Sequence, residues 1–283
     1  MRIAQLSDIH VLDARFEAKL LDAAIEEINA EEPDLVIVAG DLTAAGYREE
    51  FEYAREQLDR LACPEVVVVP GNHDSRSAGF LHYEDLFGER WHARALSANG
   101  VRAQVVCVDS SKPDLDEGSV GREHYAWIYD SFAQPADLRL FVLHHHLVAI
   151  PGTGRDRNQV WDAGDVLEVL RACGVDVVFG GHRHVPHVWP IAELFLVHSG
   201  TASTWRVRGY TRPSYNVTTI TDEEISVEMR EPGGRRELLA SYPRPPRPLG
   251  EHHEVPATRV VNERGTSDMG STCSTPHRGQ RSR

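Results

Sequence analysis

The 283 residues include 41% hydrophobic and 26% charged side chains, ordinary globular usage for one large domain or two small ones, and carry a net charge of −13. Residues 1–242 hold 39 acidic and 23 basic side chains, and a body this acidic argues against double-stranded nucleic acid as a partner, which needs a basic footprint. No stretch approaches the roughly 20 apolar residues that span a bilayer, and the start, Met1-Arg2-Ile3-Ala4-Gln5-Leu6, lacks a secretory apolar region, so a cytoplasmic protein is expected.

Ile3–Ser7 predicts a short strand, with Asp8-Ile9-His10 at its end. Apolar residues three and four apart (Leu20, Leu21, Ala24, Ile25, Ile28) predict an amphipathic helix over Phe16–Ala30. The apolar run Leu35–Ala39 predicts a strand buried on both faces, closed by Gly40-Asp41. A helix over Arg48–Leu61 follows, then the strand Val66–Val69, which ends in Pro70-Gly71-Asn72-His73-Asp74. Next come a helix over Phe80–Phe87, a strand over Val101–Val108 and a helix over Arg122–Phe132. The strand Leu138–Leu143 runs into His144-His145-His146, and a polar, Gly-rich loop spans Pro151–Asn158. A helix over Ala163–Cys173, with Gly174 as its C-terminal cap, leads to the strand Val175–Phe179 and Gly180-Gly181-His182-Arg183-His184.

The short runs Val185–Trp189, Leu194–His198, Tyr215–Ile220 and Ile225–Met229 read as an antiparallel meander. Alternation first and strands later predict a layered α/β domain over residues 1–242, with a largely parallel first sheet and a more antiparallel second one. From Pro243 the Pro-rich, polar composition predicts an extended, disordered tail over residues 243–283. Cys63, Cys107, Cys173 and Cys273 form no CxxC pair, and the first three read as buried free thiols.

Five polar clusters share one placement, the end of a predicted strand: Asp8/His10, Asp41, Asn72/His73, His144 and His182/His184. In layered α/β folds the loops at the carboxyl ends of strands converge on one edge, where ligands bind. This mix of carboxylate, imidazole and amide suits a borderline divalent metal such as Mn, Fe, Zn or Co. Seven candidates (Asp8, His10, Asp41, Asn72, His144, His182, His184) exceed the need of one metal and suit two that share a bridging carboxylate. His198 is a weaker candidate for the site. His145 and His146 are divided between support of the ligands and plain packing, and Asp74 is a candidate for orienting a neighbour. Arg155 and Arg157 weigh evenly between gripping phosphate and being solvated, with a weaker case for Arg206 and Arg208. The remaining histidines (His82, His92, His124, His187, His252, His253, His277) read as surface or hydrogen-bonded residues.

In this order, Asp8-x-His10, Gly40-Asp41, Gly71-Asn72-His73-Asp74, His144-His145 and Gly181-His182-x-His184 resemble the motifs of the calcineurin-like metallophosphoesterases, over roughly Arg2 to Ser203. The resemblance implies a four-layer α/β/β/α sandwich with a two-metal site at one edge. It implies that Asp8, His10 and His184 hold one metal, that Asn72, His144 and His182 hold the other, and that Asp41 bridges them. His73 is then the residue that contacts phosphate and assists the leaving alkoxide, with Asp41 and Asn72 completing the catalytic set. His-His-His-Leu stands where the family usually has HHPP, and the first of the three aligns with the ligand.

The GNHD form and modest length resemble the bacterial and archaeal branch that includes cyclic-nucleotide and glycerophosphodiester phosphodiesterases. Gly40-Asp41-Leu42-Thr43-Ala44-Ala45-Gly46 departs from the GDxxDRG of protein phosphatases and argues against that activity. The expected function is therefore hydrolysis of a small phosphodiester by in-line attack of a metal-held hydroxide. The alternatives are hydrolysis of a nucleotide-sugar or lipid-linked pyrophosphate, a phosphomonoesterase, and a non-catalytic scaffold of the same fold. The oligomeric state is left open, a homodimer among the options.

Overall fold

The computed structural model describes residues 1–154, 158–209 and 211–244. The expected positions Arg155, Arg157, His252, His253, His277 and Cys273, and the expected tail from residue 245, lie outside the described residues. Strands β1 (Arg2–Leu6), β2 (Leu35–Ala39) and β3 (Val66–Val69) are linked by helices α1 (Ala18–Glu31) and α2 (Arg48–Leu58). Helix α3 (Gly79–Phe87), β4 (His92–Ala98), β5 (Val101–Cys107), α4 (Tyr125–Phe132), β6 (Leu138–Val142), α5 (Ala163–Ala172) and β7 (Val177–Gly180) follow. The described chain closes with β8 (His187–Ile191), β9 (Leu194–His198), β10 (Tyr215–Ile220), β11 (Glu224–Arg230) and β12 (Arg236–Pro243).

Two six-stranded sheets result, ordered β12-β11-β10-β1-β2-β3 and β4-β5-β6-β7-β9-β8. Alternation along the strands sorts the core into layers, because successive side chains point to opposite faces. Ile3, Leu35, Ile37, Ala39 and Val69 meet Val105, Leu140, Val142, Phe179 and Val197 between the sheets. The intervening Ala4, Leu6, Val36 and Val38 face Leu21, Ile25, Ile28 and Phe51 of α1 and α2. On the far side, Val106, Phe141 and Val178 pack on Ile128, Phe132, Val166 and Leu170 of α4 and α5. The fold is a four-layer α/β/β/α sandwich.

The division into a parallel first and an antiparallel second sheet is not what forms. The first sheet is parallel in one half (β1-β2-β3, with β3 at the edge) and antiparallel in the other, and the second has a parallel centre (β5-β6-β7-β9) flanked by antiparallel β4 and β8. The expected meander is split: β8 and β9 join the second sheet, while β10, β11 and β12 return to the first. Both strands are interior: β9 is apolar up to its closing His198 and wholly buried, and β10 is buried at every residue but Thr219 even though Asn216 and Thr218 are polar.

Edge strands β4 and β12 are only partly buried and bring few apolar residues to the core (Leu96; Leu239 and Tyr242), which is why periodicity does not announce them. Strand β12 runs through Pro243, one residue past the expected boundary at Tyr242, with proline tolerated at the edge. Gly174 behaves as expected. At φ 63° it follows α5, its N–H donating to Arg171 O and that of Val175 to Leu170 O, both at 3.0 Å, the two bonds of a Schellman cap. Cys107 is a buried free thiol, but Cys63 and Cys173 are only half-buried. Among the described residues no helix is long and apolar enough to cross a membrane.

Leu35→Ala, at the fully buried foot of β2 and far from the loops described next, should cost about 2–5 kcal/mol in urea denaturation. Leu238→Ser, on edge strand β12 at 63% exposure, should change stability by less than about 0.5 kcal/mol.

Candidate metal centre

The carboxyl ends of the parallel strands all reach one edge. Asp8 and His10 follow β1, Asp41 follows β2, Asn72 and His73 follow β3, His144 follows β6, and His182 and His184 follow β7. All eight are buried. Asp8, His10, Asp41, His182 and His184 have φ between 47° and 70°, a left-handed conformation that costs L-residues on the order of 1 kcal/mol or more each. The turns that aim these side chains inward are therefore held by their surroundings.

Four imidazoles are oriented from behind. His10 Nδ1 lies 3.2 Å from Thr43 O, His73 Nδ1 2.6 Å from Ala44 O and His144 Nδ1 2.7 Å from Ala39 O, and His184 Nδ1 meets Arg206 O. A carbonyl only accepts, so each Nδ1 carries a proton and each ring turns its Nε2 inward. Those Nε2 atoms face one another and two carboxylates. His10 Nε2 is 3.1 Å from His184 Nε2 and 3.5 Å from Asp41 Oδ2. His184 Nε2 is 3.1 Å from Asp8 Oδ1, and His144 Nε2 is 3.4 Å from Asp41 Oδ2. Asp8 Oδ1, His144 Nε2 and His182 Nε2 are buried and make no hydrogen bond among the described residues.

Acceptors converging in a dry site repel unless a cation lies among them. Asp8/His10/His184, Asp8/Asp41/His144 and His10/Asp41/His73 each bring three ligand atoms within 4.8 Å of one another. The mixed N/O donor set fits borderline divalent metals. Asn72 Oδ1 lies 3.0 Å from His182 Nδ1, and the His182 and His144 rings are 5.2 Å apart, so these three form a neighbouring group.

The electrostatics agree. Burial, assisted by neighbouring imidazoles, pushes His10 and His182 well below the usual histidine range, so both are neutral donors. Burial opposes ionisation of Asp41, but His144 and His73 outweigh it and hold that carboxyl well below its ordinary value. His144 resists burial through Asp41 and is pushed up to about 10: lacking another cation, this nitrogen takes a proton.

Space at the centre is equally constrained. A Cβ on Gly181 would lie 1.8 Å from Ser7 Oγ and 2.5 Å from Asp8 Oδ2, and one on Gly71 would lie 2.3 Å from Asp41 Oδ1. Asp74 orients its neighbours. Its buried carboxylate accepts from Gly71 N, Leu42 N, Thr43 N and Thr43 Oγ1 at 2.8–3.0 Å, tying the loop after β2 to the loop after β3. Burial and the nearby Asp41 raise its pKa to about 7.

His145 and His146 both pack on His182, the first at 4.6 Å between rings, the second stacked at 5.5 Å. His198, at the end of β9, pairs in register with Gly180 and is buried beside the centre rather than within it. Arg206 enters through its carbonyl, on His184. Asp116, which accepts from Asn72 Nδ2 at 3.2 Å, went unnoticed in the sequence because its loop carries no motif.

A family profile described as calcineurin-like phosphoesterase matches residues 1–186. A probable cyclic nucleotide phosphodiesterase of a Synechococcus strain is 27% identical over 194 residues, covering 65% of this chain and 73% of that protein. A probable glycerophosphodiester phosphodiesterase of Arcobacter nitrofigilis is 29% identical over 157 residues, covering 52% of this chain and 57% of its own. Among solved structures, purple acid phosphatase PPD1 of yellow lupin superposes with a TM-score of 0.65 at 14% identity, over 86% of this chain and 53% of that one, a likeness of fold.

Gly181→Ala should lower metal affinity at least about tenfold, read by titrating the chelated protein with Mn²⁺, because Asp8 must move. Burial, with His146 and His187 nearby, pushes His198 down to about 3, against 6.5 in an unfolded chain. The unfolded state alone therefore binds this proton between those values, and stability present above pH 6.5 falls as pH falls. Between pH 7 and pH 5 that loss is at most about 2 kcal/mol, and His198→Gln should remove it in paired urea denaturations.

Proposed function

Because the chain belongs to the calcineurin-like phosphoesterase family of metal-dependent phosphoesterases, we propose that it hydrolyses small phosphodiesters at a two-metal centre. Asp8, His10 and His184 would hold one divalent ion, Asn72, His144 and His182 the other, and Asp41 would lie between them. The observation that carries this reading is Asp41 Oδ2, 3.5 Å from His10 Nε2 and 3.4 Å from His144 Nε2 on opposite sheets, where a bridging carboxylate belongs. Two such ions supply Lewis acidity toward phosphoryl oxygens and make water a nucleophile near neutral pH.

The chain's own contribution is orientation and proton placement. Carbonyls of Ala39, Thr43 and Arg206 fix the imidazoles of His144, His10 and His184 with Nε2 inward. Ser7 Oγ and His182 N donate to Asp8 Oδ2, leaving Oδ1 for a cation. His73 N donates to Asp41 Oδ1 at 2.8 Å, leaving Oδ2 between the two sets. His73 holds its ring by Nδ1–H on Ala44 O, so Nε2 is the atom left to face the substrate; it would take up a proton, released as water is deprotonated for attack, and return it to the departing alkoxide. Diesters are favoured over monoesters by the names of the relatives, and a phosphoprotein substrate is disfavoured by Asp41-Leu42-Thr43-Ala44.

Bis(p-nitrophenyl) phosphate should be turned over faster than p-nitrophenyl phosphate with Mn²⁺, and chelation should abolish both activities. Asp41→Ala should lose bound metal and at least about a thousandfold in turnover, whereas His73→Ala should keep its metal and lose about 10²–10⁴. An active Asp41→Ala protein would sink the two-metal assignment, and metal loss in His73→Ala would make His73 a ligand.

A further inference from the structure

The second sheet also reaches the centre through a loop that carries none of the ligands. Asp109, Ser110 and Ser111 follow β5 at the same edge as the ligand loops, and all three are buried. Asp109 Oδ2 accepts from Arg90 Nη1 at 2.6 Å, and its Oδ1 accepts from Ser111 N at 2.7 Å and Ser111 Oγ at 2.5 Å. A carboxylate only accepts, so the one hydroxyl proton of Ser111 is spent on Asp109. Ser75 Oγ, which meets Ser111 Oγ, is then the donor of that bond. Ser75 is buried and stands three residues after Asn72 in the loop after β3. Ser110 Oγ lies 2.9 Å from His145 Nδ1 and accepts from His145 N at 3.2 Å. The His145 ring in turn packs 5.0 Å from that of His144 and 4.6 Å from that of His182.

We infer that Asp109 is a positioning residue for the second metal of the centre: through Ser111 and Ser75 it fixes the loop that carries Asn72, and through Ser110 and His145 it fixes the rings of His144 and His182. The inference rests on the two-metal reading above. Asn72, His144 and His182 are the ligands assigned to that ion, and the brace reaches each of them. Asp8, His10 and His184 are held separately, by Ser7 Oγ, Thr43 O and Arg206 O. Asp74 and Ser75 divide the loop after β3 between two anchors. Asp74 ties it to the loop after β2 in its own sheet, and Ser75 ties it to the loop after β5 in the other. Asn72 comes from the first sheet and His144 and His182 from the second, so an ion among them needs the sheets held in register at that point. Arg90, which also pairs with Glu84 of α3, closes the far end of the brace and keeps the Asp109 carboxylate ionised and aimed.

Calorimetric titration of the chelated protein with Mn²⁺ tests this, with the ions per chain counted after desalting. The wild type should bind two. Asp109→Asn, and Ser111→Ala as the milder variant that cuts the bond to Ser75 without leaving an unpaired charge, should each weaken one ion at least about tenfold. The other ion should stay within about threefold, and the spin-coupled resonance of paired Mn²⁺ should fade in step. Asn72→Ala should lose the same ion, so adding Ser111→Ala to it should weaken Mn²⁺ binding no further. Leu35→Ala, which loosens the core far from these loops, should bind both ions as the wild type does, and so separates positioning from stability. Unchanged affinities in a folded Ser111→Ala protein overturn the inference, as do equal losses of both ions or a further loss in the double variant. In each of those cases two ions bound to the wild type leave the two-metal reading standing. A wild type that binds fewer than two ions overturns both.

Discussion

Buried acceptors aimed at one another are the constraint on which the rest of this protein depends. His10, His144 and His184 each hold Nδ1–H on a backbone carbonyl, so what meets Asp8 and Asp41 at the sheet edge is the ring face that offers Nε2 to a cation or a proton. In a dry site that assembly is unfavourable by itself, and it becomes favourable when positive charge is supplied. Much of the surrounding detail serves to keep it from relaxing. Five left-handed residues in three loops aim the side chains inward, Gly71 and Gly181 leave room where a methyl group would strike a carboxylate, and Asp74 binds two loops together with four hydrogen bonds.

The centre is also where the two sheets are joined by polar bonds rather than by packing. Asp8, His10, Asp41 and Asn72 come from the first sheet, and His144, His182 and His184 from the second. His144 Nδ1 bonds Ala39 O across the gap, His182 N bonds Asp8 Oδ2, and Gln5 Nε2 bonds Gly180 O at 2.8 Å. Metal binding and sheet docking are therefore linked, and a cation bound there stabilises the sandwich as a whole.

Much of this was legible in the sequence, for a physical reason. Asp8, His10, Asp41, Asn72, His73, His144, His182 and His184 each stand directly after a short apolar strand, and strand ends on one edge converge whichever sheet they join. Sheet membership was not legible. The run Leu194–His198 looks like any short apolar strand, and nothing local tells it to lie beside β7 rather than β10. Strands β4 and β12 were invisible because an edge strand needs only a few apolar contacts, Leu96 in the one and Leu239 and Tyr242 in the other, too few to make a pattern. The carbonyls of Ala39, Thr43, Ala44 and Arg206, which set the histidine tautomers, are backbone groups with no signature at all.

The position of β1 has a consequence for how the chain is made. This first strand is central, held by β2 on one side and by β10 on the other, and β10 begins at Tyr215. During synthesis the β2 side can pair within the first forty residues, while the other side stays open until about two hundred more have left the ribosome. Throughout that interval the nascent protein carries an unpaired, apolar sheet edge, the kind that invites pairing with another chain. Folding of this chain therefore calls for that edge to be shielded until β10 arrives.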